Sequence, residues 1–421
     1  MNIMVTTKQE ARVTAHQLLE QYTDTHCFFW SSPQYTLLAE GSALQLPEVE
    51  QEDLPSLSRR AAALLQQARQ DGQEQPVLVG AIPFDPELSP ARLVIPQQVQ
   101  WASPRTAGEW SGPAQSILSS YELREVPSAD IYKQGVEEAL VHLRQGDLKK
   151  VVLSRSLELT SSTKIPVAAL LHNLAVPNTH GYTFAVHIPL SHEQHSDSSS
   201  AAGETPVWIG ASPELLIRKQ GLRFTANPLA GSAARSADLQ EDRRRAEALL
   251  VSAKDLHEHA VVIEAVAAAL RPYCSQLEVP KQPSLVQTET MWHLSTEISG
   301  RLDDPSVTSL ELAAALHPTP AICGTPTDMA SDLIRQVEPF DRGLFTGMVG
   351  WCNAEGDGEW AVTIRCAEVR GSTLRLYAGA GVVEASTAEA ELAETSAKLR
   401  TMLRAMRIDE PAAQPAGRDQ A

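Results

Sequence analysis

Apolar and polar residues along the chain follow two alternating patterns. Short apolar runs indicate buried strands, as in "CFFW" (27–30), "VLVGAIPFD" (77–85) and "KKVVLSRSLELT" (149–160). Longer segments repeat apolar residues with the helical period of about 3.6 residues. These segments predict amphipathic helices at about 9–22, 129–147, 238–270 and 387–406. We expect the second helix to end at Gly146, because glycine readily adopts the left-handed conformation that closes helices.

Between these elements, the pattern indicates hairpins and polar linkers. "VWIGASPELLIRK" and "GLRFTANPLAGSA" form a strand-turn-strand series, and 346–383 contains the turn signals "NAEGDGE" and "RGS". Segment 103–131 is rich in Ser, Pro and Gly. We interpret the Ser-rich stretch 191–206, which lies between two predicted strands, as an extended hairpin loop. The tail 409–421 is expected to be disordered. Strands joined by hairpins, with helices between groups of strands, predict an α+β fold.

Composition narrows the class of protein. The chain has 421 residues, of which 43% are hydrophobic, and this predicts a large buried core. A formal net charge of −17 argues against nucleic acid or an anionic membrane surface as a partner. No apolar run approaches the roughly 20 residues of a membrane span, and the N-terminus lacks signal-peptide features, so we expect a cytoplasmic protein. The five cysteines contain no CxxC pair, which predicts buried free thiols.

The string His257-Glu258-His259 looks like a metal motif, but its spacing does not suit zinc. Zinc proteases separate two histidines by a helical turn, whereas these two would point to different faces of a helix. We expect each histidine to serve packing or hydrogen bonding. Glu258 is the better candidate ligand, for a hard cation. A zinc hydrolase is therefore the least favoured interpretation.

A second group of charged residues lies on the last predicted helix. Glu391, Glu394 and Lys398 are spaced i, i+3 and i+7, which places them on one stripe. Taken alone, this stripe fits a solvated charged face. Immediately upstream, Gly379 and Gly381 would let backbone amides approach an anion closely. Glutamates from two helices, together with water and substrate oxygens, would suit a Mg²⁺ site.

A series of longer strings resembles the chorismate-utilising enzymes, and within them the isochorismate synthases of catecholate siderophore pathways. The strings cover the chain except for its termini and the Ser-rich stretch, and they are "CFFWSSP", "VGAIPFDP", "KVVLSR", "GASPELLIRK", "NPLAGSA", "SAKDLHEH", "LHPTPAICGTP", "EPFDRGLFTGMVGW", "GDGEWAVTIRCAE", "AGAGVV" and "ETSAKL". The resemblance implies large antiparallel sheets packed as a sandwich with helices outside. It also implies one chorismate-binding catalytic domain over 1–408, with 1–130 integrated into it, and a monomer.

The resemblance further implies a magnesium site and an acid-base pair. Mg²⁺ would be held by Glu258 and Glu394, with Glu391 orienting or supplementing this set through water. Lys150, at the head of "KVVLSR", would be the base that activates water. Glu214, in "GASPELL", would protonate the departing hydroxyl, and for this it needs a pKa above that of an ordinary carboxyl.

Chorismate carries two carboxylates, so the implied pocket needs cationic and amide donors. Arg365, in "VTIRCAE", matches the family's carboxylate-binding arginine and suits a bidentate contact. Lys398 would add charge beside the metal-bound carboxylate. The other implied substrate contacts are Gly231, Ser232, Ala321, Ile322, Gly379 and Gly381.

The implied reaction is addition of water at C2 of chorismate with loss of the C4 hydroxyl. Lys150 and the lack of a glutaminase segment favour water over ammonia as the nucleophile. Ala321 and Ile322 follow the pattern of members that release isochorismate, and the alternative is a salicylate synthase, which goes on to eliminate pyruvate. A protein that only binds a chorismate-like ligand is disfavoured, because both Lys150 and Glu214 are present.

Overall fold

The computed structural model describes residues 13–23, 25–104, 117, 120–190 and 204–408, and the structural statements below refer to these residues. Outside them lie the tail 409–421, most of the Ser-rich stretch 191–206, much of the segment 103–131 and the start of the helix predicted at 9–22.

Nine α-helices occur in the described residues. Three of the four predicted helices correspond to single helices, and the second ends at Gly146, whose φ of 82° lies in the left-handed region as expected. The helices are α1 (Ala15–Gln21), α2 (Leu54–Gln70), α3 (Ala129–Gln145), α4 (Val167–Ala175), α5 (Leu239–Val251), α6 (Ala253–Leu270), α7 (Ser309–Leu316), α8 (Thr327–Val337) and α9 (Ala388–Ala405).

The prediction of one long helix at 238–270 is wrong in one respect, because the helix is interrupted at Ser252 and forms α5 and α6. Ser252 has extended backbone angles and ends α5. Its side chain accepts a hydrogen bond from the backbone N–H of Asp255, which caps the start of α6. Serine competes for backbone hydrogen bonds in this way and favours helix ends over helix interiors.

The strands form three antiparallel sheets. The ten-stranded sheet has the order β18 (Gly324–Thr325), β8 (Lys150–Ser161), β22 (Thr373–Val382), β21 (Cys366–Arg370), β10 (Val207–Ser212), β9 (Tyr182–Val186), β1 (His26–Ser31), β2 (Thr36–Glu40) and β6 (Gln98–Ala102), with β7 (Tyr121–Val126) also paired to β8.

The nine-stranded sheet has the order β14 (Cys274–Glu278), β17 (Ile298–Leu302), β12 (Arg223–Asn227), β11 (Leu215–Gln220), β20 (Gly358–Val362), β19 (Met348–Asn353), β4 (Val77–Ile82), β5 (Arg92–Ile95) and β3 (Leu44–Gln45). The small third sheet has the order β13 (Leu229–Ala234), β16 (Met291–Ser295) and β15 (Ser284–Gln287).

The two large sheets pack face to face, and the alternation of side chains along each strand separates the inner core from two outer ones. In β1, Phe28 and Trp30 face inward and share a core with Val79 of β4. Phe29 points the other way, into a core with helices α1, α4 and α9. On the far side of the nine-stranded sheet, Leu78 packs with α2, α6 and α7. The predicted α+β sandwich with helices outside is confirmed.

A long antiparallel ladder positions the elements that carry the predicted chemistry. Strands β8 and β22 pair over ten residues, from Thr373 opposite Thr160 to Val382 opposite Val151. This register places Lys150, the first residue of β8, beside the end of β22, where the chain turns into α9.

No helix in the described residues is long and apolar enough to span a bilayer.

Candidate active site

Lys150 and Glu258 meet inside the protein. The Lys150 side chain is 1% exposed, and its Nζ lies 3.0 Å from Oε1 of Glu258 on α6. Gly381 of β22 lies against this pair, and a Cβ at that position would overlap the Glu258 carboxylate and approach Cε of Lys150 to 2.8 Å. A glycine is therefore required here by close approach.

The electrostatics of the pair keep Glu258 ionised. Burial raises the pKa of its carboxyl, but Lys150, Lys254 and Lys398 together outweigh burial, and the pKa lies below its usual value. Glu258 thus presents a buried anionic carboxylate.

The two histidines that flank Glu258 do not form a zinc pair. His257 is exposed, whereas His259 is buried on another face of α6. Both ring nitrogens of His259 are occupied, Nδ1 at 3.0 Å from the carbonyl oxygen of Ala230 and Nε2 at 2.7 Å from Oγ1 of Thr296. Burial lowers the pKa of His259 to about 4, so the ring is neutral. These contacts give His259 a hydrogen-bonding role.

The acidic stripe of α9 faces the interior rather than solvent. Glu391 is fully buried and accepts a hydrogen bond from Nζ of Lys254 at 2.8 Å. Oε1 of Glu394 lies 2.7 Å from Nζ of Lys398, which also donates to the carbonyl oxygen of Gly379 at 2.8 Å. The solvated-face interpretation of this stripe is therefore wrong.

Each of the three predicted metal ligands contacts a lysine, and two of the three line a common cavity. Among the described residues, no group of three His, Cys, Asp or Glu side chains is arranged to hold a metal ion. Glu258 and Glu394 nevertheless line one cavity, and Oε2 of Glu391 is buried without a hydrogen-bond partner of standard geometry. A hard cation that keeps several waters, as Mg²⁺ does, suits two carboxylates of this kind.

Glu214 lies in the turn between β10 and β11 and is 4% exposed. Its Oε1 accepts a hydrogen bond from the backbone N–H of Leu229 at 3.3 Å. Burial raises its pKa to about 7, against the opposing effects of this hydrogen bond and of Lys150, Lys398 and Arg365. The carboxyl can therefore hold a proton near neutral pH, which is the shift that an acid in this position needs.

Arg365 supplies a buried cation. It has a φ of 51°, a left-handed conformation uncommon for a residue with a side chain, and burial lowers its pKa to about 10. Its Nη2 lies 3.0 Å from Nε2 of His293. Because a guanidinium can only donate, Nε2 must accept, which leaves the proton on Nδ1 to donate to Oγ of Ser232 at 2.7 Å.

Ten of the thirteen predicted site residues converge, and Lys150, Glu214 and Glu391 are the three that line neither of two adjoining cavities. One cavity is lined by Gly231, Ser232, Glu258, Ala321, Arg365, Gly379, Gly381, Glu394 and Lys398. An adjoining cavity, which shares Ala321, Arg365 and Lys398 with it, is also lined by Ile322. We call these two together the inner cavity. Lys150 and Glu214 do not line it themselves, but Lys150 contacts Glu258 and Glu214 is adjacent to the lining residue Pro213.

This convergence agrees with comparisons to known proteins. Residues 96–407 match the family profile described as chorismate binding enzyme, which is more than half of the chain.

The chain belongs to the chorismate-binding enzyme family.

Several relatives within this family are named isochorismate synthases. The chain is 54% identical to isochorismate synthase DhbC of Bacillus subtilis (strain 168), over 97% of this chain and 98% of that protein. It is 44% identical to the vibriobactin-specific isochorismate synthase of Vibrio cholerae, over 91% and 92% of the two chains. A solved structure from Bacillus anthracis, described as a 2,3-dihydroxybenzoate-specific isochorismate synthase, superposes with a TM-score of 0.85 at 49% identity and covers 94% of this chain and 100% of that one. The predicted resemblance is confirmed.

The sequence did not point to two buried residues of this site. His293 orients both Arg365 and Ser232, yet in the sequence it is one histidine within the strand "MWHLS". Arg342 donates from both terminal nitrogens to the carbonyl oxygens of Ile322 and Val152, each at 2.8 Å, and so holds two segments of the cavity wall. The nearest signal for Arg342 is that it lies in one of the family strings, "EPFDRGLFTGMVGW".

Every N–H donor of the buried Arg342 side chain has a hydrogen-bond acceptor. Its Nε and Nη2 bind the carboxylate of Glu338 at 2.8 and 2.6 Å, and Nη1 also reaches Oγ1 of Thr346 at 3.3 Å. The guanidinium lies over the ring of Phe84 at 4.6 Å. A buried bidentate pair with every donor used holds its surroundings rigidly.

Proposed function

We propose that this protein is an isochorismate synthase that interconverts chorismate and isochorismate with Mg²⁺. The observation that carries the proposal is Glu214, a buried carboxyl with a pKa of about 7 next to a residue that lines a cavity with Arg365, Glu258 and Glu394. Proton donation near neutral pH requires such a group.

In the proposed reaction, Lys150 and Glu214 move the protons. Lys150, acting as the neutral amine, accepts a proton from the water that adds at C2 of chorismate. Glu214 gives its proton to the oxygen that leaves C4, so that one water enters and one water departs. The ring double bonds shift between these two carbons, and the product is an isomer of the substrate. Reversal uses the same two groups in exchanged roles.

The substrate carboxylates would be held by the cationic side of the cavity. Arg365 offers several N–H donors, and one of them binds His293. This histidine is neutral, because burial together with Arg365 and Lys398 holds its pKa well below the usual range. A carboxylate can therefore bind Arg365 without displacing an anion. Lys398 and backbone amides near Gly231 and Gly379 are the further proposed donors.

Glu258 and Glu394 would hold the magnesium ion, with Glu391 acting through water. When bound, Mg²⁺ supplies positive charge that fixes a substrate carboxylate. We expect Glu394→Gln to weaken Mg²⁺ binding, which isothermal titration calorimetry measures without turnover. Glu389→Gln, at an exposed position on the same helix, is the matched control. Equal Mg²⁺ affinity in the two variants would contradict the assignment.

The identity of the product is tested directly. Purified protein incubated with chorismate and Mg²⁺ should give isochorismate without pyruvate in an NMR assay. The small side chain of Ala321 and the apolar side chain of Ile322 support release of isochorismate over elimination of pyruvate. Salicylate together with pyruvate would instead identify a salicylate synthase, and unchanged chorismate would refute the proposal.

The names of the relatives support a route to 2,3-dihydroxybenzoate for the product. We also infer a cytoplasmic monomer. Light scattering coupled to size-exclusion chromatography measures the mass of the particle, and a mass near 45.7 kDa is expected.

A further inference from the structure

A larger cavity adjoins the inner cavity. It has a volume of about 490 Å³ and lies between the end of α4, the loop 177–181, strand β15 and the end of α9. It shares Pro213 and Arg365 with the inner cavity. We call it the outer cavity, and its volume falls within the range of about 300–1,000 Å³ typical of small-molecule sites.

The outer cavity connects solvent to the buried arginine. Its exposed rim consists of Pro177, Thr179, His180, Gln287 and Glu289. Its inner end is buried and includes Arg365. By contrast, the part of the inner cavity around Ile322 and Tyr377 is lined by no exposed residue among those described. The outer cavity therefore reaches from solvent to Arg365, which also lines the inner cavity.

The charges along this path favour an anion at its inner end. Glu289, at the rim, lies 3.6 Å from Arg404, so its charge is partly offset. Arg365 has the neutral ring of His293 as the one hydrogen-bond acceptor that the described residues give its guanidinium. In a protein of net charge −17, a dianion needs such a local cation to overcome the overall repulsion.

We propose that the outer cavity is the path by which the dianionic substrate enters and the product leaves, with Arg365 the first cation that a substrate carboxylate meets. This inference rests on the proposed function. In this proposal, Arg365 contacts the substrate first from the outer cavity and then from the inner cavity. The loop 177–181 and the end of α9 form the two sides of the entrance.

Cysteine labelling tests this path, because all five native cysteines are buried and burial raises their thiol pKa values. Thr179→Cys, exposed on the loop, and Thr401→Cys, half-buried on α9, place a thiol on each side of the entrance. Ala390→Cys, exposed near the start of α9, is the matched control.

Labelling Thr179→Cys and Thr401→Cys with a bulky fluorescein maleimide should lower kcat/KM for chorismate by at least about tenfold. A methylthio label at the same positions should lower it far less, and the labelled control should be unchanged. Chorismate with Mg²⁺ should slow labelling at both test positions. Full kcat/KM in both bulky-labelled variants would overturn the proposed path.

Stopped-flow measurement of chorismate association separates this inference from the proposed function. An association rate constant that falls on bulky labelling supports the path even if the unlabelled protein makes no isochorismate, a result that would refute only the proposed function. An unchanged association rate in both labelled variants overturns the path even if the unlabelled protein is active.

Discussion

At the scale of single residues, Glu214 makes the activity depend on pH. Because the proposed acid works when protonated and its pKa is about 7, kcat/KM for chorismate should fall about tenfold per pH unit above this value. Initial rates at saturating Mg²⁺ over the neutral to alkaline range measure the profile. A rate that stays level well above neutral pH would contradict the role of Glu214 as the acid.

The burial of Glu214 also affects stability. The folded-state pKa is raised above the usual 4.5, so the contribution of Glu214 is fully present below about pH 4.5 and is lost as pH rises toward about 7. Glu214→Gln should lose turnover by about 10²–10⁴-fold. Between acidic and mildly alkaline pH, the free energy of unfolding should fall less for this variant than for the parent protein, by on the order of 3 kcal/mol. Urea unfolding at the two pH values measures this, and equal losses in both proteins would contradict the effect of burial.

Lys150 can be compared with its neighbour Lys149. Lys150→Met should abolish isochorismate formation, because the proposed base is removed, and it should lower the melting temperature, because Glu258 loses its partner at 3.0 Å. Lys149 is exposed, so Lys149→Met should change neither quantity. Assays of product and thermal unfolding test both variants. Normal turnover by Lys150→Met would refute its role.

Motif strings supplied the candidate residues of the site, but not the residues that hold them in place. Lys150, Glu214, Glu258 and Glu394 lie in family strings. The roles of His293 depend on contacts with residues 61 and 72 positions away in the chain. A strand pattern records only that such a side chain is buried, and it carries no information about the partner on another strand.

At the scale of secondary-structure elements, the end of β22 must lack a side chain at Gly381. Gly381→Ala should displace the Glu258 carboxylate and Lys150, and so lower kcat strongly while the sheet stays folded. Thr373→Ala, at the exposed start of the same strand, is the control and should be neutral. Kinetics and circular dichroism measure the two effects. Normal kcat in Gly381→Ala would show that the close approach is not needed for activity.

Element type was predictable where local pattern dominates. The helix end at Gly146 follows from one residue's conformational preference. The break at Ser252 did not stand out, because the helical pattern of apolar residues continues across it from α5 to α6. The break is marked only by backbone angles and by hydrogen bonds between the Ser252 side chain and Asp255.

At the scale of the whole molecule, the chain passes back and forth between the two large sheets. Strands β1 and β2 belong to the ten-stranded sheet, β3 to β5 to the nine-stranded sheet, and β6 to β10 return to the first. Neither sheet can be completed without the other. Unfolding in urea should therefore be one cooperative transition, with tryptophan fluorescence and circular dichroism giving the same midpoint. Two separated transitions would contradict the single domain predicted over 1–408.

Hairpin neighbours were predictable from turn signals, but the order of strands in the sandwich was not. Pairs such as β1 with β9 and β4 with β19 join segments far apart in sequence. Local periodicity cannot specify such partners, and the sandwich was expected only through the family resemblance.

The three lysine-carboxylate contacts around the cavity have a practical consequence. Each acidic group that would receive a metal already has a lysine amino group within 3.0 Å, so stripping the ion with a chelator leaves no cluster of carboxylates without a hydrogen-bonding neighbour. Unlike small zinc domains, which unfold on demetallation, this protein should remain intact in EDTA and regain full activity once the salt is restored.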